Sequence, residues 1–422
     1  MLRSILLQQK EERDMLLAKD YLKRTLTGEN EIFLRSGLIK LISGPRRAGK
    51  SVFALQLLQE HPFAYLNFDD DLLLKFFEED LVFQSLLVVY PNFEYLLLDE
   101  IQNLRNWEVW VGKLYRRGVN LVITGSNANL LSSEMGTSLT GRYVQITLLP
   151  FSFVEFIDFK KIILQSATPV GKAALLKVLN DYMVMGGYPE TIKTPEIIRN
   201  YLSALFDSIL LKDITKRFGV RNTNELINLA NYLLANCANP LSINSIVTDL
   251  SLGSVNTTQK FCKYLSETYL FFFLPRFNSK LKLMQKADTK VYVIDNGFIY
   301  AHAFSLSSNA GKILENMVFV ELIRRGYIIG QTLFYYRSRN NREIDFVCRK
   351  GFVIEKLIQV SYTVASHKTL KRETVALLEV SDELTCNELS IITYDEERSI
   401  EINGKQIEIV PVWKWMFPDS NR

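Results

Sequence analysis

The octapeptide Gly44-Pro45-Arg46-Arg47-Ala48-Gly49-Lys50-Ser51 constrains this chain more than any other feature. It fits G-x-x-x-x-G-K-[ST] in full, a pattern that belongs between a buried strand and a helix. The flanks agree. Gly37–Ser43 is a short apolar run, and after the loop Val52, Leu55 and Leu58 are spaced for one helical face. Glycines let the backbone wrap a phosphate with several N–H groups turned inward. A helix beginning near Lys50 sets its positive end on the anion. Lys50 is expected to neutralise the β- and γ-phosphates of a nucleoside triphosphate, and the Ser51 hydroxyl to ligate Mg²⁺.

The second half of such a site is Tyr95-Leu96-Leu97-Leu98-Asp99-Glu100. An apolar strand would carry Asp99 to the carboxyl edge of a sheet, where the ligands of open α/β sheets gather. Asp99 is expected to hold the Mg²⁺ shell and Glu100 to polarise the attacking water as general base. A third element, NLVITGSN over Asn120–Asn127, ends in polar residues. Asn127, with Ser126 as second choice, either reaches the γ-phosphate and the water or belongs to a polar turn. Arg142 follows Thr140-Gly141. It either stabilises the transferring phosphate, within the chain or across a subunit contact, or makes a surface salt bridge.

The chain has 422 residues, more than one hydrophobic core serves, so two or three domains are expected. Short buried strands alternating with helix patterns up to Pro150 indicate a parallel α/β sheet. A formal net charge of +4 permits a nucleic-acid partner without demanding one. The four cysteines, Cys237, Cys262, Cys348 and Cys386, lack metal spacing and read as buried thiols of a reducing compartment. The amino-terminal apolar run passes at once into charged residues and is too short for a signal-peptide core. No apolar stretch approaches the ~20 residues of a membrane helix. The longest candidates, Leu86–Tyr90 and Tyr269–Leu274, are strand-length. The expected location is the cytoplasm, with no membrane partner.

Gln8–Leu26 looks helical, and the pattern from about Phe153 to Asn239 is mostly helical, broken at Gly186-Gly187-Tyr188-Pro189. Ile243, Ile246, Val247 and Leu250 then follow i, i+3, i+4, i+7 spacing behind a cap at Ser242. Ser254 caps a second pattern through Thr258, Phe261, Cys262 and Leu265. A strand at Tyr269–Leu274 completes the outline of a winged helix-turn-helix. Asn256, Gln259, Lys260 and Lys263 would face outward. They suit either DNA contact or the solvated face of any helix, and winged helices also contact proteins. From Val291 the chain alternates again as a second α/β region.

The ordered set GPRRAGKS, LLLDEIQN, VITGSNANLLSSEM, LTGRY and LLPFSFVEF resembles the AAA-type ATPases of bacteria and archaea that carry a carboxyl-terminal domain of unknown function. The resemblance continues through GGYPE, KDITKRF, ETYLFFFLPRF, LENMVFVELIRRGY, YYRSRNNREIDFV and LIQVSY. It implies an ATP-binding AAA-like domain over 1–152, a helical connector over 153–239, a winged helix over 240–285 and a PD-(D/E)XK nuclease-like domain over 286–422.

A nuclease of that fold needs carboxylates around a divalent metal and a nearby lysine. Glu315 and Asp345 sit where the fold places two acids. The strand that should carry Glu-x-Lys reads Gln359-Val360-Ser361. Glu355 and Lys356 are adjacent and would point to opposite faces of a strand, so they do not replace it. The expected terminal domain is therefore degenerate, with Glu315, Asp345 and Gln359 marking a vestigial site; the plainer alternative is that Glu315 and Asp345 are a structural pair held by neighbouring Arg324, Arg337 or Arg342. Three functions stay open: an ATPase that rearranges its carboxyl-terminal domains, a non-enzymatic ATP-liganded regulator binding DNA or protein, and an ATP-gated nuclease. Oligomerisation is compatible with all three.

Overall fold

Five short apolar runs in the first part of the chain form one sheet: β1 (Ile39–Ser43), β2 (Phe63–Asn67), β3 (Tyr95–Asp99), β4 (Asn120–Gly125) and β5 (Tyr143–Thr147). The strand order is β2-β3-β4-β1-β5, and every pair is parallel. β1 and β3 are buried along their whole length, as strands covered by helices on both faces must be. One face packs against helix Lys50–Leu58 through Phe53, Ala54 and Leu57. The other carries Trp107, Trp110, Val111 and Leu114 of helix Trp107–Arg116.

This computed structural model describes residues 1–25, 32–126, 139–163, 168–302 and 310–417. It divides into two units, Met1–Pro150 with Glu267–Tyr269, and Phe151–Ser266 with Leu270–Arg422. None of the described helices is long and apolar enough to cross a membrane. All four cysteines are buried free thiols.

The register of the first sheet decides where its polar ends fall. Ser43 lies opposite Gly125, Leu98 opposite Ile123, and Asn67 opposite Asp99. The strands of a parallel sheet all end at one edge, so the loop after Ser43 and the Asp99 carboxylate share it. The loop lies tightly against β5. Gly44 has φ +147°, and a Cβ there would stand 2.0 Å from the Leu148 carbonyl oxygen.

Two local readings change. The first helix spans Leu2–Leu17 rather than Gln8–Leu26. Beyond it Arg24 is drawn away from the helical path, because its guanidinium donates to Ala48 O (3.2 Å) and Leu149 O (2.8 Å). Leu86–Tyr90 is not a strand but the end of helix Glu79–Val89, whose Val82, Leu86 and Val89 are buried on one side.

In the second unit, helices Phe153–Phe159, Pro169–Met185, Ile198–Ser208 and Thr223–Ala235 precede a small sheet. Ile198–Ser208 runs on into a wider π-helical stretch, Ile209–Lys216. The small sheet contains β6 (Pro240–Leu241), β7 (Phe271–Pro275) and β8 (Thr289–Val293), ordered β6-β8-β7 and antiparallel. Between β6 and β7 lie helices Ile243–Asp249 and Val255–Glu267. Their expected caps are present: Ser242 Oγ accepts from Ser245 N at 2.9 Å and Ser254 Oγ from Thr257 N at 3.1 Å. Thr258, Phe261, Cys262 and Leu265 are all buried.

The remaining strands are β9 (Leu333–Arg337), β10 (Glu343–Lys350), β11 (Val353–Val360), β12 (Leu389–Thr393), β13 (Arg398–Ile402) and β14 (Lys405–Pro411). They form a mixed sheet ordered β13-β14-β12-β11-β10-β9. Helices Ala310–Arg324 and His367–Leu384 accompany it. The architecture is therefore α/β twice over, with a helical stretch and a small sheet between.

Two stability outcomes are expected. Trp110 is 2% exposed and meets Phe77 and Phe68 edge-on, so Trp110→Ala should destabilise the first unit by about 3–5 kcal/mol in urea unfolding. Gly44→Ala, forced against the Leu148 carbonyl, should lower the same transition by roughly 1–3 kcal/mol; an unchanged midpoint would contradict the close approach.

Candidate functional site

At the carboxyl edge of the first sheet the chain leaves β1 through Gly44–Ser51. Arg47 (φ +66°) and Gly49 (φ +94°) take left-handed conformations that curl the loop before helix Lys50–Leu58 begins. Pro45 and Ala48 are buried, Arg46 is half-buried and Arg47 is exposed. Lys50 is 3% exposed. Its ammonium donates to Pro45 O at 3.0 Å and stands 4.0 Å from Glu100 Oε1.

Asp99 is the hub. Its Oδ1 accepts from Ser51 Oγ at 2.9 Å and from Thr124 Oγ1. Its Oδ2 accepts from Tyr65 OH at 3.2 Å. Burial pushes the Asp99 carboxyl up to about 6, and the neighbouring Glu100 charge adds to this. The hydroxyls of Thr124, Ser51 and Tyr65 oppose it. Thr124 Oγ1 also accepts from Glu100 N at 2.9 Å, which fixes the turn in which Glu100 adopts φ +52°. Gln102 Nε2 donates to Glu100 and to Ser126 Oγ, the latter at 3.3 Å.

The arrangement has two chemical capacities. Inward-curled backbone, a helix start and a buried ammonium suit an anionic phosphate. A hydroxyl and a carboxylate oxygen held side by side suit a hard cation such as Mg²⁺.

Gly44–Ser51, Asp99, Glu100 and Ser126 therefore lie at one sheet edge. Asn127 lies outside the described residues. Arg142 does not join the others within the chain. It precedes β5, whose Tyr143 pairs with Ile39 at the start of β1. The length of the sheet, about 13 Å over four residues, separates it from the loop. Its guanidinium lies 5.9 Å from the Tyr115 ring centre. The expectation of an in-chain role is corrected on this ground: parallel register puts strand starts and strand ends at opposite edges. Tyr65 and Gln102 were missed in the sequence. Tyr65 is found only through the pairing of β2 with β3, which single-sequence patterning does not contain.

A second polar cluster lies in the second unit. Glu315 on helix Ala310–Arg324 and Glu343 and Asp345 on β10 converge on Lys290 of β8. The Lys290 ammonium is 2.8 Å from Glu315 Oε1, Glu343 Oε1 and Asp345 Oδ1 alike. Tyr292 OH donates to Glu315 Oε1 at 2.6 Å. Gln359 Oε1 accepts from Asp345 N (2.9 Å), and its Nε2 donates to Glu373 Oε2 (2.7 Å). The structure thus brings Glu315, Asp345 and Gln359 together. Their cation is Lys290 and not the arginines expected from sequence: Arg337 reaches Glu343, Arg324 reaches Glu321 and Arg342 reaches Glu379. Burial disfavours the Lys290 charge, but Asp345, Glu315 and Glu343 outweigh it and hold the ammonium well above its ordinary range. Burial, followed by the Asp345 charge, pushes the Glu315 carboxyl up. The catalytic metal of a nuclease does not fit here, because its place among the carboxylates is taken.

Residues 36–157 match the model of an AAA domain. Residues 176–309 and 310–415 match two domains of unknown function, DUF8612 and DUF4143. An uncharacterized protein of Methanocaldococcus jannaschii is 36% identical over 409 residues, covering 93% of this chain and 91% of its own length. An uncharacterized protein of Haemophilus influenzae is 33% identical over 427 residues, covering 96% and 99%. Among solved structures, the Walker-type ATPase of Pyrococcus abyssi superposes with a TM-score of 0.45 at 14% identity, over 68% of this chain and 97% of that one. With near-complete coverage at this identity and an AAA model on the phosphate-loop sheet, the chain belongs to the AAA-type P-loop ATPases that carry carboxyl-terminal domains of unknown function.

Proposed function

We propose that the protein binds ATP with Mg²⁺ at Gly44–Ser51, hydrolyses it, and uses the nucleotide state to rearrange its carboxyl-terminal domains. The observation that carries this reading is the meeting of Ser51 Oγ with Asp99 Oδ1 at 2.9 Å, beside Lys50 and Glu100. Ser51 and Asp99 would hold Mg²⁺, which when bound neutralises phosphate oxygens. Lys50 would move its ammonium from Pro45 O to the β- and γ-phosphates. Glu100 would orient and polarise water, with Gln102 holding its carboxylate. Asn127, just beyond β4 in sequence, keeps its proposed role beside the γ-phosphate. Arg142 would serve a phosphate only from a neighbouring subunit of an oligomer.

The coupling to later domains draws support from Tyr269. Its hydroxyl donates to Ser43 Oγ at 2.9 Å, and Ser43 immediately precedes the phosphate loop. The same tyrosine is the short covalent link between helix Val255–Glu267 and β7. A change in the loop would be felt there through one hydrogen bond.

Contact with DNA is a second reading. A helix pair followed by an antiparallel strand pair is compatible with a winged helix. Asn256, Gln259, Lys260 and Lys263 are all exposed. Lys280, Lys282 and Lys286, on the connection between β7 and β8, are exposed as well. This collects positive charge on two elements that a duplex backbone could meet. A protein partner on the same face is the alternative.

Purified protein should hydrolyse ATP only with Mg²⁺. Glu100→Gln should retain ATP and lose at least about 100-fold in kcat, whereas Lys50→Ala should lose ATP binding. Wild-type protein that neither binds nor turns over ATP would overturn the reading. For DNA, fluorescence anisotropy with a short duplex should show salt-dependent binding that weakens in Lys260→Ala/Lys263→Ala. Absence of binding at low salt would favour the protein-partner alternative.

A further inference from the structure

The acid cluster of the second unit is built like a metal centre. Glu343 and Asp345 are two residues apart on β10 and share one face of the strand, and Glu315 approaches from a helix. Each supplies one oxygen to a common point. Such convergence of three buried or half-buried carboxylates needs a cation, because uncompensated charges at short range repel strongly in a low-dielectric interior.

That point is occupied by a side chain. Lys290 is 1% exposed and its Nζ lies at 2.8 Å from all three carboxylates. Two of the other carboxylate oxygens are also engaged. Glu343 Oε2 accepts from Arg337 at 2.9 Å, and Asp345 Oδ2 accepts from Val360 N at 2.9 Å. Lys290 comes from β8 of the small sheet, whereas its acids come from β10 of the mixed sheet and the helix beside it. The ammonium therefore pins elements from separate sheets, as a structural metal ion would.

We infer that Lys290 is a built-in cation standing where a divalent metal would sit among Glu315, Glu343 and Asp345, so that the cluster takes no metal, and that removing the lysine side chain opens a divalent-cation site. The consequence for chemistry is direct. With the metal position filled by an ammonium, no water is activated there. The repulsion among the acids is accordingly compensated within the chain.

The inference is independent of ATP and is tested without nucleotide, on the full chain, with Mn²⁺ alone. Calorimetric titration counts only the Mn²⁺ binding that Asp345→Asn removes, which separates this cluster from the phosphate-loop site. Wild-type protein should show none, and its unfolding temperature should not depend on Mn²⁺ through Asp345. Lys290→Ala should unfold at a lower temperature in chelator, recover stability on adding Mn²⁺, and bind one Mn²⁺ per chain. That binding should disappear in Lys290→Ala/Asp345→Asn. Asp345-dependent Mn²⁺ binding by wild-type protein would overturn the inference, as would a folded Lys290→Ala that binds none. If Lys290→Ala does not fold, the wild-type comparison with Asp345→Asn decides alone: Asp345-dependent Mn²⁺ binding refutes the filled site, and its absence supports it.

Discussion

The hydrogen bond from Ser51 Oγ to Asp99 Oδ1 joins residues far apart in the chain and exists only because β1 and β3 run parallel in one sheet. Parallel pairing brings the strand ends to one edge, and the buried apolar strands hold them there. The phosphate loop, the Asp-Glu pair, Thr124 and Tyr65 all follow from that placement. The same constraint leaves Arg142 at the far edge and makes any part it plays in phosphate chemistry a matter for a neighbouring subunit.

The clusters around Asp99 and Lys290 handle buried charge in opposite ways. Around Asp99, three hydroxyls donate to a carboxylate that burial nonetheless pushes toward its protonated form. Hydroxyl bonds are weaker compensation than a cation, so the site is poised to gain on binding one. Around Lys290, a full ammonium already meets three carboxylates. That site is saturated from within.

Much of this was legible in the residues. The Gly44–Ser51 pattern, the apolar run into Asp99 and the caps at Ser242 and Ser254 are local signals, and local geometry obeys them. The buried face Thr258, Phe261, Cys262 and Leu265 was readable from helical spacing alone. What failed or was missed depends on tertiary partners. The first helix ends at Leu17, and Arg24 beyond it is held by the carbonyls of Ala48 and Leu149. Tyr65 joins Asp99 through strand pairing. Lys290 reaches Glu315, Glu343 and Asp345 across a fold-back that no spacing announces. Strand β8 likewise looks like the opening of the last α/β region but pairs with β7 and β6.

Gly44–Ser51 is proposed to grip a triphosphate, with magnesium anchored by Ser51 and Asp99. The most direct measurement is a high-resolution structure of crystals grown with a nonhydrolysable ATP analogue and Mg²⁺. The expected result shows phosphate oxygens inside the loop, the Lys50 ammonium turned from Pro45 O onto them, and the ion between Ser51 and the Asp99 carboxylate. A loop left empty in saturating analogue, with Lys50 still on Pro45 O, would contradict the account.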